Sequence, residues 1–247
     1  PGPRPVHPTS PLPFLTYLEL TPVTPVKRNA LVSTAVVALL VAFIAGALAL
    51  SPKKADPADA AGAATGAGAG TGKLVRDDSH RLGAAGTGKV TLVEFLDFEC
   101  ESCRAAYPVV EELRTTYAGK VDFVVRYFPI PSHANAVNSA LAVEAAAQQG
   151  KFEDMYKRMY DTQETWGEQQ DSKASLFRGF AQELGLDMAA YDKAVAAKAT
   201  QERVERDRQD GLDLGVEGTP TFFLNGKKLQ PSSVQDFRDQ IDAALNG

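Results

Sequence analysis

Cysteine and histidine are scarce in this sequence, and their scarcity limits the sites that it can form. The only two cysteines among 247 residues are Cys100 and Cys103. A metal site needs about four ligands, and none of the three histidines, His7, His80 and His133, has ligand spacing to the pair. A structural disulfide between the two cysteines would close too short a loop to constrain the unfolded chain much. The sequence therefore favours neither a metal centre nor a stabilising crosslink.

Positive charge is not in excess either. The chain carries 26 lysines and arginines against 31 aspartates and glutamates, a formal net charge of −5. Bulk charge therefore gives no reason to expect nucleic acid as a partner. The first methionine is Met155, so the true start of the chain is not visible in the sequence.

A long stretch without charge lies ahead of the cysteines. Residues 1–29 are rich in proline, and we expect them to be disordered. Residues 30–50 are 21 uncharged residues, which as a helix would reach about 31 Å and span a bilayer core. We expect a transmembrane signal anchor. A cleaved signal peptide is the alternative, because small residues at 45–49 offer cleavage sites.

Residues 51–73 are rich in alanine and glycine, which predicts a flexible linker. A chain whose only cysteines stand in one motif suits an oxidising compartment, because no further thiol can mispair. We therefore expect a single-pass protein of the cell membrane with its C-terminal domain, residues 74–247, on the extracytoplasmic side. If the signal is cleaved, the domain is secreted.

The cysteine pair stands between a predicted strand and a predicted helix. Val90 to Leu96 is an apolar run typical of a buried strand, and Arg104 to Ala118 is predicted to be a helix. The free N–H groups and the positive dipole at a helix N-terminus favour a thiolate on Cys100. A thiolate is the nucleophile of thiol–disulfide exchange. Strand, C-x-x-C and helix together predict a redox-active pair.

Glu94 places a carboxylate inside that apolar run. Either it faces water at the edge of the strand, or it is a buried acid whose pKa is raised and which exchanges a proton with Cys103. We include Glu94 among the candidate catalytic residues.

The rest of the domain contains further elements. A short edge strand is expected near Leu74, a second strand over 121–128, and helices throughout 133–210. Five apolar and aromatic residues recur at the spacing of one helix face, which predicts that they pack together as a stripe. They are Phe152, Met155, Tyr156, Met159 and Tyr160. The charged run from Glu202 to Asp213 is predicted to be a solvated helix face.

The last segment carries three local signals. Thr219-Pro220 opens a strand and is a candidate for a cis peptide bond. Asn225-Gly226 predicts a hairpin turn. Ser233 is predicted to cap a final helix.

The order of these elements resembles the DsbA-like family of extracytoplasmic thiol–disulfide oxidoreductases. The resemblance covers roughly residues 74–247, and it implies an α/β thioredoxin fold with an inserted helical subdomain at about 133–210. The stretches that carry the resemblance are Phe95–Cys103, Arg126–Pro129 followed by His133, Asn135 and Ala136, Gln149–Phe152 and Gly218–Phe222.

The resemblance also implies roles for single residues. Cys100 is expected to be the exposed nucleophile and Cys103 the buried resolving thiol. Thr219 and Pro220 are expected to form a cis-proline loop that binds the substrate chain in strand-like fashion. Glu94 matches the buried acid of thioredoxin-like strands.

One departure from the family lies between the cysteines. Strongly oxidising members carry Pro-His there, and this chain has Glu101-Ser102. Glu99 and Glu101 are expected to raise the pKa of Cys100 by charge repulsion, which would make the pair a milder oxidant. His133 is expected to be structural and to open a helix.

The sequence thus predicts a protein-disulfide oxidoreductase that forms disulfides in reduced exported proteins. The family implies that a quinone-linked thiol oxidase of the membrane recharges it, and no cofactor is expected. A disulfide reductase or isomerase of the same fold is the alternative. A metal-binding thioredoxin-like chaperone is less favoured.

Overall fold

The computed structural model describes Gly2 and residues 73–247. The predicted disordered segment 1–29, the signal anchor 30–50 and the linker 51–73 lie outside the described residues, apart from Gly2 and Lys73. Within the described part, none of the helices combines the length and the apolar character that spanning a bilayer requires.

The described residues form five strands and seven α-helices. The strands are β1 (His80–Leu82), β2 (Val90–Leu96), β3 (Val121–Tyr127), β4 (Thr221–Leu224) and β5 (Lys227–Leu229). The helices are α1 (Glu101–Thr116), α2 (Ala136–Ala147), α3 (Phe152–Thr162), α4 (Ala174–Glu183), α5 (Met188–Ala196), α6 (Lys198–Asp213) and α7 (Val234–Asn246), with a 3-10 turn at Gln163–Thr165.

The five strands form one mixed sheet in the order β1-β3-β2-β4-β5. β2 and β3 are parallel, and the other neighbouring pairs are antiparallel. Five helices, α2 to α6, lie between β3 and β4 in the chain. The predicted α/β thioredoxin fold with an inserted helical subdomain is confirmed.

The side chains of β2 alternate between two apolar clusters, as the period of a strand requires. Leu92 and Leu96 belong to the larger cluster, together with residues of α1 and of the insertion. Val93 and Phe95 belong to a smaller cluster on the other face. Because both faces are covered, β2 is buried along nearly its whole length, and the helix that follows it starts next to the core.

The predicted packing stripe of the insertion is confirmed. All five of its residues are buried, and they are Phe152, Met155, Tyr156, Met159 and Tyr160. Ser233 Oγ accepts the N–H of Asp236 at 3.0 Å, so the predicted cap of the final helix is also present. Asn225-Gly226 joins β4 to β5, with φ of 46° and 86°.

The edge strand expected near Leu74 is wrong. The first strand of the described residues is β1, which begins at His80. The carbonyls of Lys73 and Leu74 instead accept hydrogen bonds from Arg126 Nη1 at 2.6 and 2.7 Å. A side chain, and not a neighbouring strand, satisfies this part of the backbone.

The prediction that the run Glu202–Asp213 is a solvated face is also wrong. Arg203, Asp207 and Asp210 are buried. Arg126, on β3, pairs with Asp207 at 2.7 Å and with Asp210 at 2.6 Å. Burying a charge alone costs far more than burying a hydrogen-bonded pair, so α6 directs these acids towards the buried arginine.

Candidate active site

The two cysteines lie where β2 passes into α1. Cys100 is the residue that precedes α1, and Cys103 lies in the first turn, because the helix begins at Glu101, three residues before its predicted start. Both cysteines are free thiols. Cys100 is 9 % exposed and Cys103 is 1 % exposed. Cys100 is therefore the more solvent-accessible thiol of the pair.

The loop ahead of β4 lies against Cys100. The Thr219–Pro220 peptide bond is cis, as predicted. Cys100 Sγ lies 3.3 Å from the carbonyl oxygen of Thr219 and donates a hydrogen bond to it when Cys100 is protonated. β4 pairs with β2, and Thr221 stands opposite Phe95 near the cysteine end of β2. This pairing brings the predicted substrate-binding residues and the predicted nucleophile together.

The surroundings of the two thiols shift their pKa values in opposite directions. The hydrogen bond from the Cys103 thiol lowers the pKa of Cys100 to about 5, against the effect of burial and with help from backbone N–H groups of the first turn of α1. Burial and the hydrogen bond to Cys100 raise the pKa of Cys103 well above its ordinary value. At neutral pH the reduced pair is therefore one thiolate and one thiol.

The pKa of Cys100 is lowered, and not raised as Glu99 and Glu101 led us to expect. Glu101 is exposed, and water screens its charge. Glu99 is buried, and its Oε2 accepts the backbone N–H of Asn135 at 2.5 Å. The hydrogen bonds at the helix N-terminus outweigh both carboxylates.

Glu94 lies in the interior. It is 5 % exposed, and its Oε2 has no hydrogen-bond partner. Burial raises the pKa of Glu94 to about 8, with a further contribution from Glu111. The charge of Glu94 in turn contributes to the raised pKa of Cys103. The two groups are coupled electrostatically, and proton exchange between them stays a prediction.

Asp97 organises the loop before Cys100, and sequence reasoning missed it. Its Oδ1 accepts the N–H of Glu99 at 2.8 Å, and its Oδ2 accepts the N–H of Ile130 at 2.9 Å. His133 Nδ1 lies 2.7 Å from the same Oδ2. His133 therefore does not open a helix, since α2 begins three residues later at Ala136. Aspartates in loops after strands commonly accept backbone N–H groups, so the position of Asp97 in the sequence could have indicated this role.

Gln163 holds the same loop from the insertion. Its Nε2 donates to the carbonyl oxygens of Phe98 at 2.7 Å and Cys100 at 3.0 Å. The side chain is 2 % exposed, so these bonds satisfy a buried amide. No local pattern marks Gln163, because the two ends of the contact with Cys100 are 63 residues apart.

The fold and the site lead to a family. A family model described as Thioredoxin matches residues 76–243. The chain belongs to the thioredoxin family.

Solved structures place this thioredoxin-family chain among the DsbA-like folds. A thioredoxin-like oxidoreductase from Silicibacter pomeroyi DSS-3 is 25 % identical with a TM-score of 0.59, over 70 % of this chain and 95 % of that one. Oxidised BdbD from Bacillus subtilis is 19 % identical with a TM-score of 0.62, over 72 % and 99 %. Wolbachia pipientis α-DsbA1 is 19 % identical with a TM-score of 0.60, over 70 % and 94 %. The predicted thioredoxin family and DsbA-like fold are confirmed.

Curated relatives of this thioredoxin-family chain are much longer. Na(+)/H(+) antiporter NhaA 1 of Mycobacterium sp. (strain KMS) is 34 % identical over 142 residues, which are 56 % of this chain and 22 % of that protein. Na(+)/H(+) antiporter NhaA 3 of Salinispora tropica is 38 % identical over 141 residues, which are 56 % and 20 %. The chain thus spans about a fifth of the length of these relatives.

Proposed function

We propose that the chain is an extracytoplasmic protein-disulfide oxidoreductase that donates its Cys100–Cys103 disulfide to reduced proteins. The observation that supports this direction is the unequal acidity of the two thiols, with a pKa of about 5 for Cys100 and a pKa well above the ordinary value for Cys103. A thiol of low pKa leaves readily, and a stabilised thiolate favours the reduced form of the protein. Both effects drive the disulfide towards the substrate.

The reaction needs two exchanges. A substrate thiolate attacks Cys100 Sγ, the Cys100–Cys103 bond breaks, and its electron pair passes to Cys103 Sγ. Cys103 takes up a proton because its thiolate is disfavoured by burial. Glu94, protonated below a pKa of about 8, supplies this proton.

The second exchange completes the transfer. Another substrate thiolate attacks the substrate sulfur of the mixed disulfide, and Cys100 leaves as a thiolate. The substrate has lost two electrons and two thiol protons and has gained one disulfide. The protein holds the two electrons as the reduced pair.

The substrate chain lies along Thr219 and Pro220 in this proposal. The carbonyl of Thr219 is 3.3 Å from Cys100 Sγ, so a chain joined to that sulfur passes beside the loop. An extended chain there can use the Thr219 backbone for strand-like hydrogen bonds.

Location and recharging belong to the same proposal. The uncharged run 30–50 supports a membrane anchor, and the absence of cysteine outside the motif supports an oxidising compartment. A quinone-linked thiol oxidase of the membrane would then restore the disulfide. Blotting of membrane and soluble fractions tests the anchor: we expect the mature chain in the membrane fraction, and a soluble product beginning near Ser51 would replace the anchor by a cleaved signal.

Disulfide donation is tested with the oxidised full chain and a reduced, unfolded protein that has two thiols. We expect the wild type to oxidise it and both Cys100→Ser and Cys103→Ser to lose turnover. Ser175→Ala, an exposed change on α4, is the matched control and leaves turnover unchanged. Oxidation by the Cys100→Ser protein would disprove the proposal.

The reduction potential, measured against glutathione, separates the alternatives. A value towards roughly −120 mV supports a disulfide donor, and a value towards roughly −270 mV assigns a reductase or isomerase. Among the described residues, no group of three or more histidines, cysteines and acids is placed to hold a metal ion, so no specific observation favours the metal-binding alternative.

A further inference from the structure

No basic residue stands between Cys100 and Cys103 in the sequence. The two intervening residues are Glu101 and Ser102. Any positive charge that adds to the hydrogen bonds of the thiolate would therefore come from another part of the fold, and the loop between β3 and α2 brings a histidine against Asp97, in the loop before Cys100.

His133 is linked to Cys100 through Asp97. Its Nδ1 lies 2.7 Å from Asp97 Oδ2, and the backbone carbonyl of Asp97 accepts the N–H of Cys100 at 3.2 Å. Asp97 is 2 % exposed and accepts two further backbone N–H groups, so its position is closely defined. The side chain of His133 is 28 % exposed, and it can exchange its proton with water.

We propose that His133, protonated and held in place by Asp97, is the electrostatic partner of the Cys100 thiolate. It is a positioning residue for the charge of the nucleophile and stabilises the reduced form of the protein. This role rests on the proposed function, because it concerns the same dithiol.

Three acidic groups near His133 act on its charge. These are Asp97, Glu99 and Cys100, all in the stretch before α1, and each acts on His133 through its charge. Burial lowers the pKa of His133, but the hydrogen bond and charge of Asp97, with the charges of Cys100 and Glu99, outweigh this effect and raise it. Residues 129–135, the loop of His133 itself, contain no other titratable side chain.

A second segment packs beside this loop. Asn135 Nδ2 donates to the carbonyls of Gln169 and Asp171. The two charged side chains of that segment, Asp171 and Lys173, pair with each other at 2.8 Å and add no net charge.

Only one of the three acidic groups changes when the disulfide forms. Oxidation converts the Cys100 thiolate and the Cys103 thiol into a neutral disulfide and releases one proton and two electrons, which the recharging thiol oxidase accepts. His133 then loses the negative charge of Cys100, and its affinity for its proton falls. Because coupling between two binding events is reciprocal, His133 and the thiolate must shift each other's pKa equally.

The wild-type protein tests this coupling directly. The imidazole signals of the full chain are followed by NMR between pH 5 and 9 in the reduced and oxidised states, and His133→Gln assigns the signal of His133. We expect the pKa of His133 to be higher in the reduced state by at least about half a pH unit. His80 lies on the edge strand β1, 2.6 Å from Glu144, and is the internal control: its signals should be the same in both redox states. Equal midpoints for His133 in the two states would overturn the proposal.

Alkylation of Cys100 by iodoacetamide gives the reciprocal reading. Its pH midpoint is measured in the wild type, in His133→Gln and in the matched control His80→Gln. The His133 change should raise the midpoint by the shift seen in NMR, and the His80 change should leave it where it is. Neither reading depends on the direction of disulfide transfer. A reduction potential in the reductase or isomerase range would disprove the proposed disulfide donation and leave the coupling of His133 to Cys100 intact. Unchanged pH midpoints of alkylation and of the His133 signal would disprove the coupling alone.

Discussion

Arg126 and Asp207 form an ion pair that does not reach solvent. Arg126 Nη2 lies 2.7 Å from Asp207 Oδ1, and both side chains are 0 % exposed. Arg126 belongs to β3 and Asp207 to α6, so the pair joins the sheet to the last helix of the insertion. Asp210 is a second partner, at 2.6 Å. A guanidinium this deeply buried is compatible with folding only because carboxylates and carbonyls surround it.

Arg126→Met should destabilise the protein strongly. It leaves Asp207 without its arginine partner on β3 and removes the bonds to the 73–74 carbonyls, and breaking one side of a buried pair costs about 3–5 kcal/mol. Urea unfolding measures the change. Arg178→Met is the matched control, since its pair with Asp192 is about half exposed and water weakens the attraction, so stability should change little. Similar losses in both variants would show that the buried network contributes no special stability.

Cys103 should set the acidity of Cys100 through its thiol proton. Cys103→Ala removes the largest contribution to the low pKa of Cys100, so the pH midpoint of Cys100 alkylation should rise by about one unit or more. Cys103→Ser should keep most of the effect, because a hydroxyl still donates a hydrogen bond. If alanine and serine give the same midpoint, the hydrogen bond is not the cause.

Glu94 should make stability depend on pH. Its pKa is raised from 4.5 to about 8 on folding. A group with a raised folded-state pKa stabilises the protein fully only below its unfolded pKa, and this stability is lost as the pH rises towards 8. Glu94→Gln should therefore match the wild type near pH 4 and exceed it by roughly 3–5 kcal/mol at pH 9.

Unfolding of both proteins in the same redox state measures this difference. Glu101→Gln is the control, because Glu101 is exposed and its loss should change stability little at either pH. If the pH dependence of stability is the same in Glu94→Gln as in the wild type, folding does not raise the pKa of Glu94.

Any side chain at Gly211 should destabilise the protein. A Cβ at this position of α6 would lie 2.6 Å from Phe128 Cδ2 and 3.1 Å from Phe95 Cδ1. Gly211→Ala should therefore cost about 1–3 kcal/mol, since two ring positions must shift. Gly179→Ala, on α4, meets nothing within 4 Å and should stabilise the protein by up to about 1 kcal/mol. Thermal unfolding of the two variants should shift in opposite directions.

The sequence predicted what depends on neighbouring residues. The strand, the cysteine pair and the helix after it are contiguous, and so are the Thr219-Pro220 turn and the packing stripe of α3. The partner of Arg126 was not predictable, because Asp207 is 81 residues away and helical charge patterns resemble solvated surfaces. The acidity of Cys100 was predicted in the wrong direction because the charges of its neighbours are visible in a sequence, whereas their burial and hydrogen bonds are not.

Asp210 also determines how the described chain enters the domain. The N–H of Lys73 and the side chain of Arg76 bind its carboxylate at 3.1 and 2.5 Å, and Arg126 holds it from the sheet. A tension that arrives along the chain ahead of residue 73 is thus received by α6 and β3 before it reaches β1. In mechanical terms the described chain is fastened to the last helix of the insertion and to the sheet before its first strand begins.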